Sequence, residues 1–418
     1  MSAASSSEPA CSSNPERRGN LMSRQVTIVG AAGIPCGRVQ TAPGLDLQVL
    51  EHEVLAACVL EAVGQAGVGK ESIDAMVLCH PRPYTQQLYF GTFMANYLRL
   101  PSNGVVMEVV GNGMTGGLAF DQAAQMIETG RADVALALGV NFETAICSAE
   151  HMNRSMRATG DVAFHTPFGF TPISWYAMDA MRYMHETGAT RAEIASVAVK
   201  NRRHAALNPL AQYRELVTLE EVLAQRPIVE PFGLYEVPPR SDGAACIVLA
   251  SEDAARALGK PYARVIGRGF HHEGAHQISE VPTDMIAFNA AVRAGGQAYR
   301  AAGLQADDID VAELYAPCTI VEVLVSEALG LTPRGRGAAQ AAAGETALGG
   351  RIPICTSGGL IARGHPPFIT PLYSYLELFE QLTRRAGARQ VPEAAIAMAA
   401  CELGNYNAAL VHILEAAA

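Results

Sequence analysis

The sequence predicts an α/β protein built from two similar halves, and two observations carry that prediction. Strand-like and helix-like runs alternate, with a strand, glycine-rich turn, helix and strand in succession over residues 105–138. This is the pattern of a βαβ unit, hence of a largely parallel sheet with helices on both faces. The second observation is a repeat. AGVGKESIDAMVL at 66–78 returns as AGLQADDIDVAEL at 302–314, 236 residues on, and MTGGLA at 114–119 returns as TSGGLI at 356–361, 242 residues on. In each copy the Gly-Gly pair precedes a helical run and then a hydrophobic strand, at 134–138 and 394–400. The shared order and nearly equal offset make coincidence a poor explanation. A duplicated chain of this kind has pseudo-twofold symmetry and a site between its halves.

The elements follow in order. Residues 26–30 form a β-branched run ending in glycine; 45–65 have helical periodicity that Gly67 ends; 75–79 and 105–110 are strands. The glycine-rich turn 111–120 opens an apolar helix reaching about Gly130. Residues 142–240 differ in composition, with Met, aromatic and Pro-rich loops and helices near 175–187 and 190–206, and read as a cap inserted over the sheet. SDGAACIVLAS at 241–251 returns to strand. The expected organisation is a disordered tail at 1–22, a first half at 23–141 and 241–262, the cap at 142–240, and a second half at 263–418. Met22 is an alternative start.

Composition narrows the classes. With 418 residues, 49% hydrophobic and 17% charged, the chain has ample material for a large core. A net charge of −10 with no offsetting Lys/Arg cluster argues against nucleic acid. Nine cysteines at irregular spacings, with no CxxC pair, suggest neither a zinc site nor a disulfide framework, and fit a reducing cytosol. No apolar run approaches the roughly 18 residues of a membrane span, and the first 20 residues lack a signal-peptide core. A cytoplasmic protein is expected.

The candidate chemistry centres on SGGLIARGHPP at 357–367, placed between an expected strand at 351–355 and an expected helix at 371–385. Adjacent glycines let backbone approach a ligand closely, and a helix start offers unpaired N–H groups to an anion or polarised carbonyl. Ser357, Gly358 and Gly359 are therefore candidate substrate contacts, and so is Gly404, beside Cys401 in the loop after the last long strand. His365 sits between Gly364 and Pro366, either as a working group or as a satisfied histidine in a turn. GNGMTG at 111–116 fits G-x-G-x-x-G after a strand, with Glu143 as a candidate ribose ligand, although a six-residue motif in a chain with 39 glycines is weakly specific. Tyr315 ends a strand of the second repeat, where a tyrosine can exchange a proton beside a carbonyl or simply pack with its hydroxyl in water. Cys318 reads as a small apolar residue, and Cys401, at the end of the last long strand, as either that or a reactive thiol.

These motifs together resemble the thiolase superfamily, most closely the sterol-carrier-protein type thiolases and thiolase-like lipid-transfer proteins. SGGLIARGHP, SDGAACIVLAS, VAVKNRRHAALNP at 197–209 and EALGL at 327–331 carry the likeness, which runs from about Val26 to the C-terminus. It implies a five-layer α-β-α-β-α fold of two duplicated halves, a homodimer, a coenzyme A thioester as substrate, no covalently bound cofactor and no metal. The departures redirect the chemistry. The family's nucleophilic cysteine position is occupied by Gly113, which has no side chain to acylate. Tyr315 stands where the family has a histidine, and Val321 where it has an oxyanion-hole asparagine, while His365 is kept and Cys401 falls at the acid/base cysteine position. The chain resembles thiolase-like aldolases, which lack the cysteine and pair with a small OB-fold, zinc-ribbon protein. The expectation is retro-aldol C–C cleavage or formation on acyl-CoA, with His365 binding the enolate oxygen, Tyr315 moving the hydroxyl proton and Cys401 as auxiliary acid/base. The alternatives are an acyltransferase using Cys318 or Cys401, a non-catalytic acyl-CoA or lipid-binding subunit of a complex, and, more remotely, a dinucleotide enzyme.

Overall fold

The computed structural model describes residues 24–38, 47–79, 87–101, 104–146, 150, 154, 156–273, 285–402 and 407–417. The expected tail at 1–22 and Gly404 lie outside them. The strands are β1 (Val26–Gly33), β2 (Ala75–Cys79), β3 (Val105–Val109), β4 (Val134–Asn141), β5 (Pro227–Val229), β6 (Phe232–Gly233), β7 (Gly243–Ser251), β8 (Tyr262–His272), β9 (Val311–Leu314), β10 (Ile396–Glu402) and β11 (Ala408–Ala417). The helices are α1 (Leu47–Ala66), α2 (Phe90–Tyr97), α3 (Thr115–Glu128), α4 (Glu143–Ile146), α5 (Pro172–Thr187), α6 (Arg191–Ala206), α7 (Leu219–Leu223), α8 (Glu252–Leu258), α9 (Asn289–Ala302), α10 (Thr319–Ala328), α11 (Gly337–Ala342) and α12 (Thr370–Leu382).

The duplication is visible in the strand order β3-β2-β4-β7-β1-β8-β11-β10-β9. Read outward from its centre, each half runs in the same sequence, β1-β7-β4-β2-β3 and β8-β11-β10-β9, the latter extended by a parallel bridge from Ala312 to Ile354. β2 pairs parallel with β3 and β4, and β9 with β10, while β7 and β11 run antiparallel to their neighbours. Only Thr27–Arg264 and Ile28–Ala263 join the halves at β1–β8.

Strand alternation sorts the side chains into layers, since successive residues point to opposite faces. Leu136 and Leu138 of β4 face α1 and α2, whereas Ala135 and Ala137 face α3 and α12. In the second half Met398 and Ala400 of β10 face α9 and α10, whereas Ala397 and Ala399 turn inward to α3 and α12. Helix, sheet, helix pair, sheet, helix gives the five layers.

The expected strand at 351–355 is a single bridge at Ile354, because Cys355 takes a left-handed φ of 56° and turns the chain at once. What holds this turn is α6. Its Lys200, Asn201 and His204, with Asn208 beyond its end, recur at helical spacing on one face. Lys200 Nζ donates to the Ile354 carbonyl at 2.7 Å and to Glu322 at 2.5 Å. Asn201 Nδ2 donates to the other Glu322 oxygen at 2.9 Å, and Asn208 Nδ2 to the Ser357 carbonyl at 2.8 Å. Leu348 N–H donates to His204 Nε2 at 3.0 Å, so Nδ1 carries the hydrogen given to the Cys355 carbonyl at 2.9 Å. VAVKNRRHAALNP is thus the brace of the 355–359 turn. Gly358 is its tightest contact: at φ 101°, an added Cβ would meet Ala205 Cβ at 2.6 Å and its Cα at 2.9 Å. Gly358→Ala is expected to lower stability by roughly 2–4 kcal/mol, from strained backbone and a helix pushed aside, read as a lower urea midpoint with unchanged slope.

Candidate active site

The turn that α6 braces is anchored from beneath by Glu313. Ser357 donates its N–H to one Glu313 oxygen at 2.9 Å and its hydroxyl to the other at 2.7 Å, and Arg363 Nη1 donates to Ser357 Oγ at 3.2 Å. Burial, then the Glu377 charge, push the Glu313 carboxyl up to about 7 against the pull of Arg363. Ser357 therefore spends its donors on scaffold. Gly358 admits α6, and Gly359 lies where an added Cβ would meet Asn201 Nδ2 at 3.0 Å and Cys355 Cβ at 3.3 Å. The glycine pair serves approach of helix to turn, where the sequence pointed to approach of backbone to ligand.

Beyond the turn, His365 is pinned at three places. Its N–H donates to Ser241 Oγ at 2.9 Å, and Ser241 in turn donates to Gln212 Oε1 at 2.6 Å. Its Nδ1 lies 2.9 Å from the Thr370 hydroxyl, which donates to the Pro366 carbonyl at 2.8 Å. A hydroxyl has one hydrogen, so in this arrangement Nδ1 is the protonated nitrogen and Nε2 presents a lone pair. That lone pair faces the Tyr315 hydroxyl at 3.4 Å, with the rings edge to face at 5.5 Å. Burial, then Arg363, push the His365 imidazole down to about 3, so it rests neutral. Burial, then Glu402, Cys401 and Glu143, hold the Tyr315 phenol well above its usual range, so it rests protonated.

Tyr315 also explains Gly113. A Cβ added there would lie 2.5 Å from the Tyr315 hydroxyl oxygen and 3.0 Å from the Glu402 carbonyl. The volume that a side chain at 113 would take is filled by the tyrosine. Two further glycines of GNGMTGG are packing contacts too: a Cβ added at Gly116 would meet Leu372 N and Pro371 Cδ at 3.1 Å, and one at Gly117 would meet Cys401 Sγ at 2.8 Å. These contacts account for the glycines by close packing of α3 against α12 and β10, without a pyrophosphate.

The parallel register Ala400–Leu314, with Tyr315 N–H donating to the Ala400 carbonyl at 2.8 Å, sets Cys401 alongside Tyr315. Both pack with Met114, Leu360 and Leu410. Burial pushes the Cys401 thiol up to about 12. Cys318 is also buried, packs in the outer core of the second half, and has its thiol raised well above the usual range by burial and then by Glu236. Of the aromatics at 164–176, Tyr176 packs in that same core and Trp175 is buried against Phe170 at 4.7 Å, whereas Phe164 and Phe168 are 71% and 80% exposed. Among the described residues no His/Cys/Asp/Glu group is arranged to hold a metal, and no helix is long and apolar enough to cross a membrane.

Glu143, proposed from sequence as a ribose ligand, instead lies buried 3.9 Å from Arg240, and its Oε2 makes no hydrogen bond. Burial raises its carboxyl to about 7 despite Arg240. Its environment reaches Tyr315, a connection with no signal in the local sequence. Since the folded chain keeps this proton up to about pH 7 and the unfolded chain loses it near 4.5, Glu143 lowers stability as pH rises through that window. Glu143→Gln cannot titrate, so its melting temperature should rise relative to wild type between pH 4.5 and 7.5, by the equivalent of about 1–3 kcal/mol, and the difference should level off above.

Comparison with known proteins agrees with this architecture. Residues 26–253 match the thiolase N-terminal domain, and residues 271–416 the thiolase C-terminal domain-like family. An acetyl-CoA acetyltransferase of Methanothermobacter thermautotrophicus is 30% identical over 94% of this chain and 100% of its own length. Sterol carrier protein 2 of Oryctolagus cuniculus is 32% identical over 77% of this chain, which covers 60% of that protein. The solved structure of the Ltp2-ChsH2(DUF35) aldolase aligns with a TM-score of 0.79 at 27% identity, covering 94% of this chain and 98% of that one. Two matched domains, a relative aligned along its full length and a five-layer duplicated fold agree: the chain belongs to the thiolase family.

Proposed function

We propose that this thiolase-fold enzyme cleaves or forms a C–C bond in an acyl-CoA by aldol chemistry, without a covalent acyl-enzyme. The observation that carries the proposal is the Tyr315 hydroxyl filling the space beside Gly113 while hydrogen-bonded to His365. An acyl-transfer site needs a nucleophile there, and the site holds a proton carrier instead. Neither Cys318 nor Cys401 replaces it, since both are buried thiols held protonated. The likeness to the Ltp2-ChsH2(DUF35) aldolase supports the same reaction class.

In the cleavage direction the substrate is a 3-hydroxyacyl-CoA. Its hydroxyl donates to the Tyr315 oxygen, and Tyr315 donates to His365 Nε2. As the hydroxyl proton passes to Tyr315 and the tyrosine's own proton to His365, the Cα–Cβ bond breaks. Its electron pair enters the thioester enolate, and the carbonyl product departs. His365, barely basic in the resting site, becomes basic when an enolate forms beside it, because an opposite charge favours the imidazolium. The Nε2–H so created is the donor that stabilises the enolate oxygen. Cys401 then gives its thiol proton to Cα, leaving a thiolate; the cycle closes when His365 gives up its extra proton to water and the thiolate regains one. A thiol near 12 remains far more acidic than the α-carbon of a thioester, so the transfer to Cα runs downhill.

CoA enters as substrate, with no covalently bound cofactor. The partners proposed are a second copy of the chain and a small OB-fold, zinc-ribbon protein of the DUF35 kind, supported by the structural relative's assembly. A cytoplasmic setting accords with nine cysteines and no pairing motif. The test is turnover of 3-hydroxyacyl-CoAs by the full chain, alone and with a candidate partner, alongside intact-mass analysis. Tyr315→Phe should lose about 10²–10⁴-fold in cleavage while retaining CoA binding, and no protein species should carry an acyl mass. A stable acyl adduct on wild-type protein would overturn the proposal. Gly113→Cys should not create acyl transfer, because the new side chain meets the Tyr315 hydroxyl; acquisition of an acyl adduct by that variant would show the tyrosine is not seated there.

A further inference from the structure

Behind Cys401 runs a line of polar side chains that the cleavage step leaves unused. Cys401 Sγ lies 3.9 Å from the Tyr375 hydroxyl, within reach for sulfur; that hydroxyl lies 2.8 Å from His412 Nδ1; and His412 Nε2 lies 3.3 Å from Asp121 Oδ1. The four residues come from β10, α12, β11 and α3, so only the packing of the two halves brings them together. All are buried. Phe120 stacks on the Tyr375 ring at 3.9 Å and 8° and meets His412 edge-on at 5.0 Å, which fixes both rings in line. At the far end Asp121 also accepts from Gln125 at 2.6 Å and lies 3.5 Å from Arg268, whose side chain is 34% exposed. Burial opposes ionisation of Asp121, but His412 and Arg268 outweigh it and hold its carboxyl below the usual range. The line therefore starts at an anion near solvent and ends at the thiol beside Tyr315.

We propose that Asp121, His412 and Tyr375 form a proton relay that recharges Cys401 during protonation of the enolate. The inference rests on the enolate reading above and names the route by which that site exchanges protons with water. With His412 neutral, Nε2–H donates to Asp121 and Nδ1 accepts from Tyr375, whose oxygen accepts from the Cys401 thiol. With a second proton on His412, both nitrogens donate, the Tyr375 hydroxyl turns to Cys401, and the S–H points to the substrate. In the transfer, Cα takes the S–H proton, Sγ takes the Tyr375 proton, and Tyr375 takes the Nδ1 proton. One C–H bond forms, the thiol and phenol are restored, and His412 returns to neutral, to be reprotonated from solvent at the Asp121 end. A set of groups placed only to satisfy one another would also bond in this way; what distinguishes a relay is that its members act as one unit on proton exchange.

The experiment follows exchange of the α-hydrogens of acetyl-CoA and butyryl-CoA in D2O by NMR, using the full chain with its partner where one copurifies. Tyr375→Phe removes a single oxygen and His412→Gln one imidazole; each should slow wild-type exchange at least tenfold, with the Tyr375→Phe melting temperature close to wild type. The double variant Cys401→Ala/Tyr375→Phe should be no slower than Cys401→Ala. Wild-type exchange rates in Tyr375→Phe, or losses that multiply in the double variant, would overturn the relay while leaving the enolate reading standing. Wild-type protein that exchanges no α-hydrogens removes the enolate reading and the relay with it. If His412→Gln does not fold, Tyr375→Phe and the double variant decide alone.

Discussion

The site depends on how closely α3 approaches α12 at the centre of the molecule. Gly116 lets α3 come within contact of the Leu372 backbone, and Gly117 leaves room for Cys401. Three residues beyond Gly117, Phe120 lies flat on Tyr375 at 3.9 Å, a pair of the kind that contributes about 0.5–1.5 kcal/mol beyond its buried area. This packing carries one half's turn at Gly113 to the other half's Tyr315 and His365. It also places Asp121 of one half against His412 of the other. Side chains at Gly116 or Gly117 would separate the layers, and both the proton carrier and the line behind Cys401 would come apart with them.

A second constraint is the charge buried beneath the 355–363 turn. Arg363 and Arg389 meet Glu313 and Glu377, each with at most 5% of its side chain exposed. Such pairs contribute little net stability, because desolvation consumes most of their attraction, yet removing one partner strands the other. Here the carboxylates also accept from Ser357 N–H and Oγ, Thr356 Oγ1 and Gln381 Nε2, so the network specifies one position for the turn. Arg363 has a further effect on the chemistry. Its charge lies close enough to His365 to oppose protonation, which keeps the imidazole neutral until a negative charge forms nearby. The scaffold thereby sets the basicity of the group it carries.

Much of this was legible in the residues. The two offset repeats implied the mirrored strand order, and the SGGLIARGHP, SDGAACIVLAS and VAVKNRRHAALNP motifs implied the family to which the chain belongs. Local pattern misled where a residue's partner lies far away in the chain. Gly358 and Gly359 looked like a backbone cradle, but their neighbours are Ala205 and Asn201 of α6, more than 150 positions earlier. Glu143 looked like a ribose ligand because it follows a strand, whereas its surroundings are Arg240 and Asp242. Ser357 had the composition of a ligand contact and is consumed by Glu313.

The sequence by itself determined the fold, since hydrophobic period and duplication are written in consecutive residues, and it determined that position 113 has no side chain. Why no side chain belongs there was decided only in three dimensions, by a tyrosine 202 positions away whose hydroxyl occupies the space. The tautomer of His365, the burial that keeps Tyr315 and Cys401 protonated, and the alignment of Asp121, His412 and Tyr375 were likewise set by tertiary packing. Each depends on distance and desolvation between residues remote in the chain, and these come into being only when the two halves close on each other.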